Sequence, residues 1–145
     1  KSGWSDTLKK AGQLPSQAQW AEGDWSAVSG ARAVSELLVT YPEMDAIFVA
    51  NDQMAIGAMQ TLHERGRRVP DEIGIIGYDN IAESAFSSPP LTTISQDFEL
   101  MGAKTIELLV EAINAQRSGK DLATIKPVRL TSELITRKSS LRISG

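Results

Sequence analysis

The sequence predicts an α/β fold, a mainly parallel sheet flanked by helices, and three observations carry that reading. Short apolar runs, Ala46-Ile47-Phe48-Val49-Ala50 and Ile73-Gly74-Ile75-Ile76-Gly77, stop abruptly at polar residues. Helix-length amphipathic segments separate these runs, the alternation expected of β-α-β units. The 145 residues, 41% of them hydrophobic and 23% charged, suffice for one domain with a core.

The first strand candidate is short: Gln17-Ala18-Gln19-Trp20, leading into Gly23-Asp24-Trp25-Ser26. Asp24 or Ser26 can cap the next helix, in which Val28, Ala31, Val34 and Leu38 recur at helical spacing. Pro42 disfavours helix at Tyr41 and ends it. Residues 46–50 then read as a buried parallel strand. A second helix follows, with Ala55, Met59 and Leu62 on one face and Gly66 as its stop. Val69-Pro70-Asp71-Glu72 is a turn, and residues 73–77 are a strand ending at Tyr78-Asp79-Asn80. Pro89-Pro90 precedes a strand at Leu91-Thr92-Thr93-Ile94, and a long helix runs over about 97–116 with Phe98, Met101, Thr105, Leu108 and Ala112 along one side. Residues 118–121 form its exit, and 128–135 alternate as a half-exposed strand would.

Composition narrows the chemistry. With no cysteine, the chain has no disulfide framework, thiolate zinc site or cysteine nucleophile. No apolar run approaches the roughly 20 residues that span a bilayer, so no membrane association is expected. A formal charge of −3 argues against this segment gripping nucleic acid. Arg65, Arg67 and Arg68, with Glu64 beside them, read as a solvated helix end, and the single histidine, His63, as a surface residue. No nucleophile elbow, phosphate loop or dinucleotide fingerprint is present, and no acidic group has metal-ligand spacing. The expectation is binding without chemistry: no enzyme, no cofactor, no metal.

Ligands of open parallel sheets bind outside the carboxyl ends of the strands. Three such ends present suitable side chains: Trp25, Asn51 and Asp79. An indole face covers the C–H face of a sugar ring, a carboxylate accepts from paired hydroxyls, and a carboxamide donates and accepts. Each has a plainer reading. Trp25 alone reads as a core or helix-start aromatic, Asn51 or Asp52 as a helix cap, and Asp79-Asn80 as a turn; for Asp52 the cap is preferred.

At these residues the sequence resembles the lac-repressor-type (LacI/GalR) family of bacterial regulators. The resemblance runs through Glu22-Gly23-Asp24-Trp25-Ser26, residues 45–59 around Asn51-Asp52-Gln53-Met54, Val69-Pro70 and Gly77-Tyr78-Asp79-Asn80. It continues in Pro89-Pro90-Leu91-Thr92-Thr93-Ile94, Gln96-Asp97-Phe98 with Gly102, and Leu134-Ile135-Thr136-Arg137-Lys138. It implies a two-lobed, periplasmic-binding-protein-like core (class I) with the effector in its cleft. About 1–95 and 126–138 would belong to the C-terminal lobe and about 97–125 to the N-terminal lobe. By position in the motifs, Trp25 resembles a ring-stacking aromatic, Asn51 and Asp79 hydroxyl-binding groups, and Gln96 and Phe98 cleft-lining residues. The last two rest on the resemblance alone.

The same resemblance implies a cytoplasmic, homodimeric transcription regulator that responds to a small molecule, a sugar or glycoside. It would reach operator DNA through an N-terminal helix-turn-helix that this sequence does not contain, so the numbering is expected to begin inside a longer chain. The helix carrying Ile56 and Met59 is one candidate dimer edge, although a core face explains Met59 equally well. Residues 139–145 show no leucine heptads, so a lac-repressor-type tetramer is not expected. A periplasmic sugar-binding protein of a transport system is the competing class.

Overall fold

The computed structural model describes residues 2–14 and 16–141. Along them run α1 (Ser2–Lys10), α2 (Ala27–Thr40), β1 (Ala46–Phe48), α3 (Asp52–Glu64), β2 (Gly74–Tyr78), β3 (Thr92–Ser95), α4 (Phe98–Arg117) and β4 (Glu133–Ile135). The strands form one sheet in the order β1-β2-β3-β4. β1, β2 and β3 are parallel, and β4 runs antiparallel to β3. The predicted alternation and the parallel-dominated sheet are therefore both present.

The helix signals act where the sequence places them. Ser26 caps α2, its hydroxyl accepting from the Ser29 N–H at 3.1 Å, and α2 ends at Thr40, two residues before Pro42. The exit from α3 passes through Gly66, whose φ of 70° is open to glycine without strain. His63 and Arg65 are exposed, as expected; Arg67 and Arg68 both reach Glu72, at 3.4 and 3.2 Å.

The core lies between the α2–α3 pair and the sheet. Val34 and Leu37 of α2, Ala55, Ala58, Met59 and Leu62 of α3, Ile75 of β2, and Ile73 and Leu91 beside the strands are all buried in one cluster. α2 and α3 meet backbone to backbone. A Cβ at Gly30 would run into the Met54 carbonyl, and one at Gly57 into the Ala27 carbonyl. Only glycine at both positions permits this approach. The contact also corrects the stripe read for α2. Its buried residues are Ser29, Gly30, Ala33, Val34 and Leu37, while Val28 is 80% exposed. Ser29, Gly30 and Ala33 at the crossing displace Val28 from the buried face, while Val34 and Leu37 are in the core and Leu38 packs against it.

Three further expectations are corrected. Residues 17–19 form a 3-10 turn instead of a strand, because side chains take up the backbone groups a ladder would use: Ser16 N–H donates to Gln19 Oε1 and Thr40 Oγ1 to the Ala18 carbonyl. β1 is an edge strand, not a buried one. Ile47 packs on the core while Ala46 and Phe48 face outward. The strand read over 128–135 pairs only at Glu133–Ile135, since its partner β3 offers just Thr93 to Ser95.

α4 forms as read, with Asp97 Oδ1 accepting from the Leu100 N–H at 2.8 Å. Its apolar side finds little to pack on. Ala115 is its one buried residue among the described residues, and Ile106, Leu109, Val110 and Ile113 are all exposed.

The glycine crossing is testable against α4. Gly57→Ala should destabilise this chain by about 1–3 kcal/mol, the usual cost of overpacking. Gly102→Ala on α4, where an added Cβ meets nothing within 4 Å, should instead stabilise it slightly. Urea midpoints of the two variants measure both, and equal effects would contradict the crossing.

Candidate functional site at the carboxyl edge of the sheet

Asn51, Asp79 and Gln96 lie just past the carboxyl ends of β1, β2 and β3, three adjacent parallel strands. Asn51 caps α3: its Oδ1 accepts from the Met54 N–H at 3.0 Å. Its Nδ2 reaches across to the Trp25 carbonyl at 2.9 Å. The cap thus also fixes the neighbouring loop, and Asn51 itself is buried. Trp25 is no core aromatic. Its side chain stands out of the loop, 64% exposed, on a backbone with φ 73°.

A second local network holds that loop. Asp24 Oδ1 accepts from the Ser26 hydroxyl at 2.5 Å and the Ser26 N–H at 3.1 Å. The Ser26 hydroxyl first, and then the neighbouring Ser29 side chain, hold the Asp24 carboxyl down at about 2. The turn that projects Trp25 therefore stays braced unless the solution is strongly acid.

On the other side, Gln96 Nε2 donates to Asp79 Oδ1 at 3.3 Å. Asp79 and Asn80 have φ values of 105° and 53°. Burial first, and then the negative charge of Asp52, push the Asp79 carboxyl above the ordinary carboxylate range; the hydrogen bond from Gln96 opposes both. Phe98 begins α4, half exposed, and its N–H donates to the Gln96 carbonyl at 3.1 Å. The structure therefore joins Trp25 to Asn51 and Asp79 to Gln96 through side chains, and attaches Phe98 through backbone only.

Trp25, Asp79 and Asn80 are the non-glycine residues with positive φ among the described residues. All three stand on this one edge. Such conformations cost on the order of 1–3 kcal/mol each and persist only where surroundings enforce them, commonly at binding sites. Depressions of about 680 Å³ between α4 and residues 120–125 and of about 320 Å³ between α1 and Phe48 lie away from this edge.

Sequence reasoning misassigned one residue here and passed over others. Asp52 does not cap α3; it is fully buried, accepting from the Ile81 N–H at 3.0 Å and the Thr93 hydroxyl at 2.6 Å. Its neighbour Asn51 has the extended backbone a cap requires and takes that role. Arg137 reaches Asn80 Oδ1 and the Leu91 carbonyl at 2.8 Å, and the Ser84 hydroxyl at 3.0 Å. Asn80 Nδ2 in turn donates to Ser95 Oγ at 3.3 Å. No local spacing links Arg137 to Asn80, so periodicity alone had no way to find the pair. Among the described residues no group of acidic, histidine or cysteine side chains could hold a metal ion.

The sequence profile of the periplasmic binding protein-like domain matches residues 1–140. The HTH-type transcriptional regulator CelR of Thermobifida fusca is 36% identical over 139 residues, covering 94% of this chain and 39% of that protein. A solved transcriptional regulator CelR–cellobiose complex superimposes with a TM-score of 0.82 at 35% identity, over 95% of this chain and 41% of the other. The lac repressor dimer bound to operator and the anti-inducer ONPF gives a TM-score of 0.80 at 37% identity, over 97% and 46%. The chain belongs to the periplasmic-binding-protein-like domain family, in its lac-repressor-type (LacI/GalR) branch. It spans about two fifths of the length of the regulators it matches, 39% of the CelR chain.

The displaced ionisation of Asp79 has a consequence for stability. The raised value means the folded state holds this proton more tightly than the unfolded state does. The resulting penalty is absent below the ordinary value of 3.8, grows as pH rises past it, and is complete above the raised value. Asp79→Asn, which keeps an acceptor for Gln96, should therefore raise Tm near neutral pH, with the gain vanishing in acid. A thermal melt series across pH checks this; a variant less stable than wild type at neutral pH would contradict it.

Proposed function

We propose that this chain is the C-terminal part of the effector-binding core of a DNA-binding transcriptional regulator, with a sugar or glycoside held on the edge formed by Trp25, Asn51, Asp79, Gln96 and Phe98. The observation that carries the reading is the confinement of backbone strain to this edge, at the residues that would stack on and hydrogen-bond a sugar. Trp25 offers an exposed indole plane. Asp79 offers a carboxyl group oriented by Gln96. Asn51 fixes the Trp25 loop and retains acceptor capacity on its Oδ1.

With Trp25 64% and Phe98 52% exposed, this edge alone would bind a sugar weakly, since specific small-molecule sites enclose most of the ligand. A second wall is required, and α4 supports the same division. Its exposed apolar residues Ile106, Leu109, Val110 and Ile113 are what a helix presents when its packing partner lies in another lobe. Residues about 97–125 therefore belong to the N-terminal lobe of the whole core, and about 1–95 with 126–138 to the C-terminal lobe. The effector bridges the two. Its differential affinity for one lobe arrangement shifts a homodimer between operator-competent and incompetent states. Operator contact belongs to an N-terminal domain outside this chain, in keeping with the segment's net charge of −3.

The relatives are regulators, not enzymes, and the site has no nucleophile–base pair; the function is binding without turnover. No helix among the described residues is long and apolar enough to cross a membrane; a cytoplasmic location is proposed from the kinship with DNA-binding regulators. The sugar of the CelR complex, cellobiose, makes β-glucosides a sensible starting class.

A thermal-shift screen of the full-length regulator tests the reading, using cellobiose, lactose, monosaccharides, sugar phosphates and purines. A ligand at a hundred times its dissociation constant stabilises by about 2.7 kcal/mol. The expected result is a sugar hit that both Trp25→Ala and Asp79→Ala abolish. A purine-only hit, or a sugar hit indifferent to both substitutions, would overturn the site.

A further inference from the structure

Asp52 is a buried carboxylate in an unusual position. It is the first residue of α3 and has no solvent exposure, and among the described residues no Lys or Arg forms an ion pair with it. Burying an acid costs free energy unless donors compensate. Here they come from the turn after β2 and from β3: Ile81 N–H to Oδ2 at 3.0 Å and Thr93 Oγ1–H to Oδ1 at 2.6 Å. The helix N-terminus adds a favourable field for negative charge. The backbone also makes room, because a Cβ at Gly77 of β2 would collide with Asp52 Oδ1.

These contacts bracket the strained turn. Thr93 Oγ1, while donating to Asp52, accepts from the Asn80 N–H at 3.3 Å. The N–H groups of Asn80 and Ile81 are thus both tied to one carboxylate, the first through Thr93 and the second directly. These are the residues immediately after Asp79, and Asp79 and Asn80 are the ones with positive φ. From above, Arg137 and Ser95 hold the Asn80 side chain. Below the turn, Asp52 is the anchor.

We propose that Asp52 is a positioning residue for the effector site: its carboxylate clamps the 79–81 turn from beneath and so fixes where Asp79 presents its carboxyl group to a ligand. The proposal rests on the reading of Asp79 as a ligand-binding group. It adds that a neighbour with no access to ligand sets that group's direction and its charge environment. The charged group acting on Asp79 is Asp52 on α3, the polar one is Gln96 beyond β3, and Arg137 enters on the Asn80 side. The charge of Asp52 acts on Asp79 through space in either case; were Asp52 merely structural, cutting its link to Asn80 through Thr93 would leave the Asp79 carboxyl where it is.

The test uses the full-length chain labelled with carbon-13 at Asp side-chain carboxyls, with amide exchange followed in parallel. Asp52→Asn removes the charge; its carboxamide oxygen can take the place of Oδ2 and accept from Ile81, while its Nδ2 donates to Thr93 Oγ1. Thr93→Val cuts the link to Asn80 and leaves Asp52 in place. With Asp52→Asn, the Asp79 carboxyl should titrate at lower pH than in wild type while the Ile81 amide stays protected. With Thr93→Val, the Asn80 amide should exchange about tenfold faster or more, the effect of losing a buried partner, and the Asp79 resonance should move. If the Asp79 titration is unmoved in a folded Asp52→Asn protein, or its resonance is unmoved in Thr93→Val, the proposal is overturned. Neither readout needs a ligand. Failure of the sugar screen at Asp79→Ala would therefore count against the sugar reading alone, and failure here against the clamp alone.

Discussion

The close crossing of α2 and α3 is the constraint on which the rest of the site depends. Both helices begin at the carboxyl edge of the sheet, so the distance between their axes sets the distance between their N-terminal loops. With glycine at Gly30 and Gly57 the backbones touch, and the loops come within reach of a single side chain, Asn51. Any Cβ at either glycine would push the helices apart and with them the Trp25 loop. The Asn51–Trp25 bond is therefore a consequence of helix packing as much as of local sequence. It explains how a bulky residue stays at positive φ: the Trp25 carbonyl is held from one side and the Asp24–Ser26 network closes the other.

The opposite half of the edge depends on the sheet. β3 is short, yet it is held from both directions, by β2 in parallel and by the segment around β4 in antiparallel. Past β4 the chain passes beneath the strands. Ser139, fully buried, donates to the Ile75 carbonyl at 2.7 Å and accepts from the Thr92 N–H at 2.8 Å, bridging β2 and β3. Arg137, two residues earlier, turns up to Asn80. Residues distant in sequence thus fix the turn that carries Asp79, and each is satisfied by neutral partners or backbone. Buried polar networks of this kind stabilise only when every member is paired, and here the named members are.

How much of this was legible in the sequence follows from the range of each interaction. Gly66, Pro42, Ser26 and Asp97 act within a few residues, so helix limits could be read from them directly. Asn51 was readable as a cap for the same reason, and the sheet edge followed from three strands ending in polar residues. What failed was long-range. Residues 46–50 have the composition of a buried strand, but their place at the sheet's edge is a property of strand order. The stripe on α2 was misjudged because the crossing selects glycine and serine, which carry no hydrophobic signal. Asp52 looked like a cap because it sits where caps sit; its true partners, Ile81 and Thr93, are 29 and 41 residues away. Gln96 and Phe98 came only from resemblance, since a polar residue and an aromatic at a helix start have no distinctive pattern.

The division of labour between these two halves bears on how a bound effector is sensed. Trp25 and Asn51 stand at the N-terminal ends of α2 and α3, whose buried faces contribute much of the core. Gln96 and Phe98 stand at the passage from β3 into α4, a helix with Ala115 as its buried residue among the described residues. Asp79 lies between, bonded to Gln96 on one side and sharing Asp52's neighbourhood on the other. Under the proposed division into lobes, a ligand contacting both halves would couple the α2–α3 side of the edge to α4. Under the proposed reading, binding energy won at Trp25 and Asp79 is then available to bias the position of α4 through Gln96. The coupling requires no long pathway, because the ligand site and the crossover into α4 share adjacent residues of a single strand end.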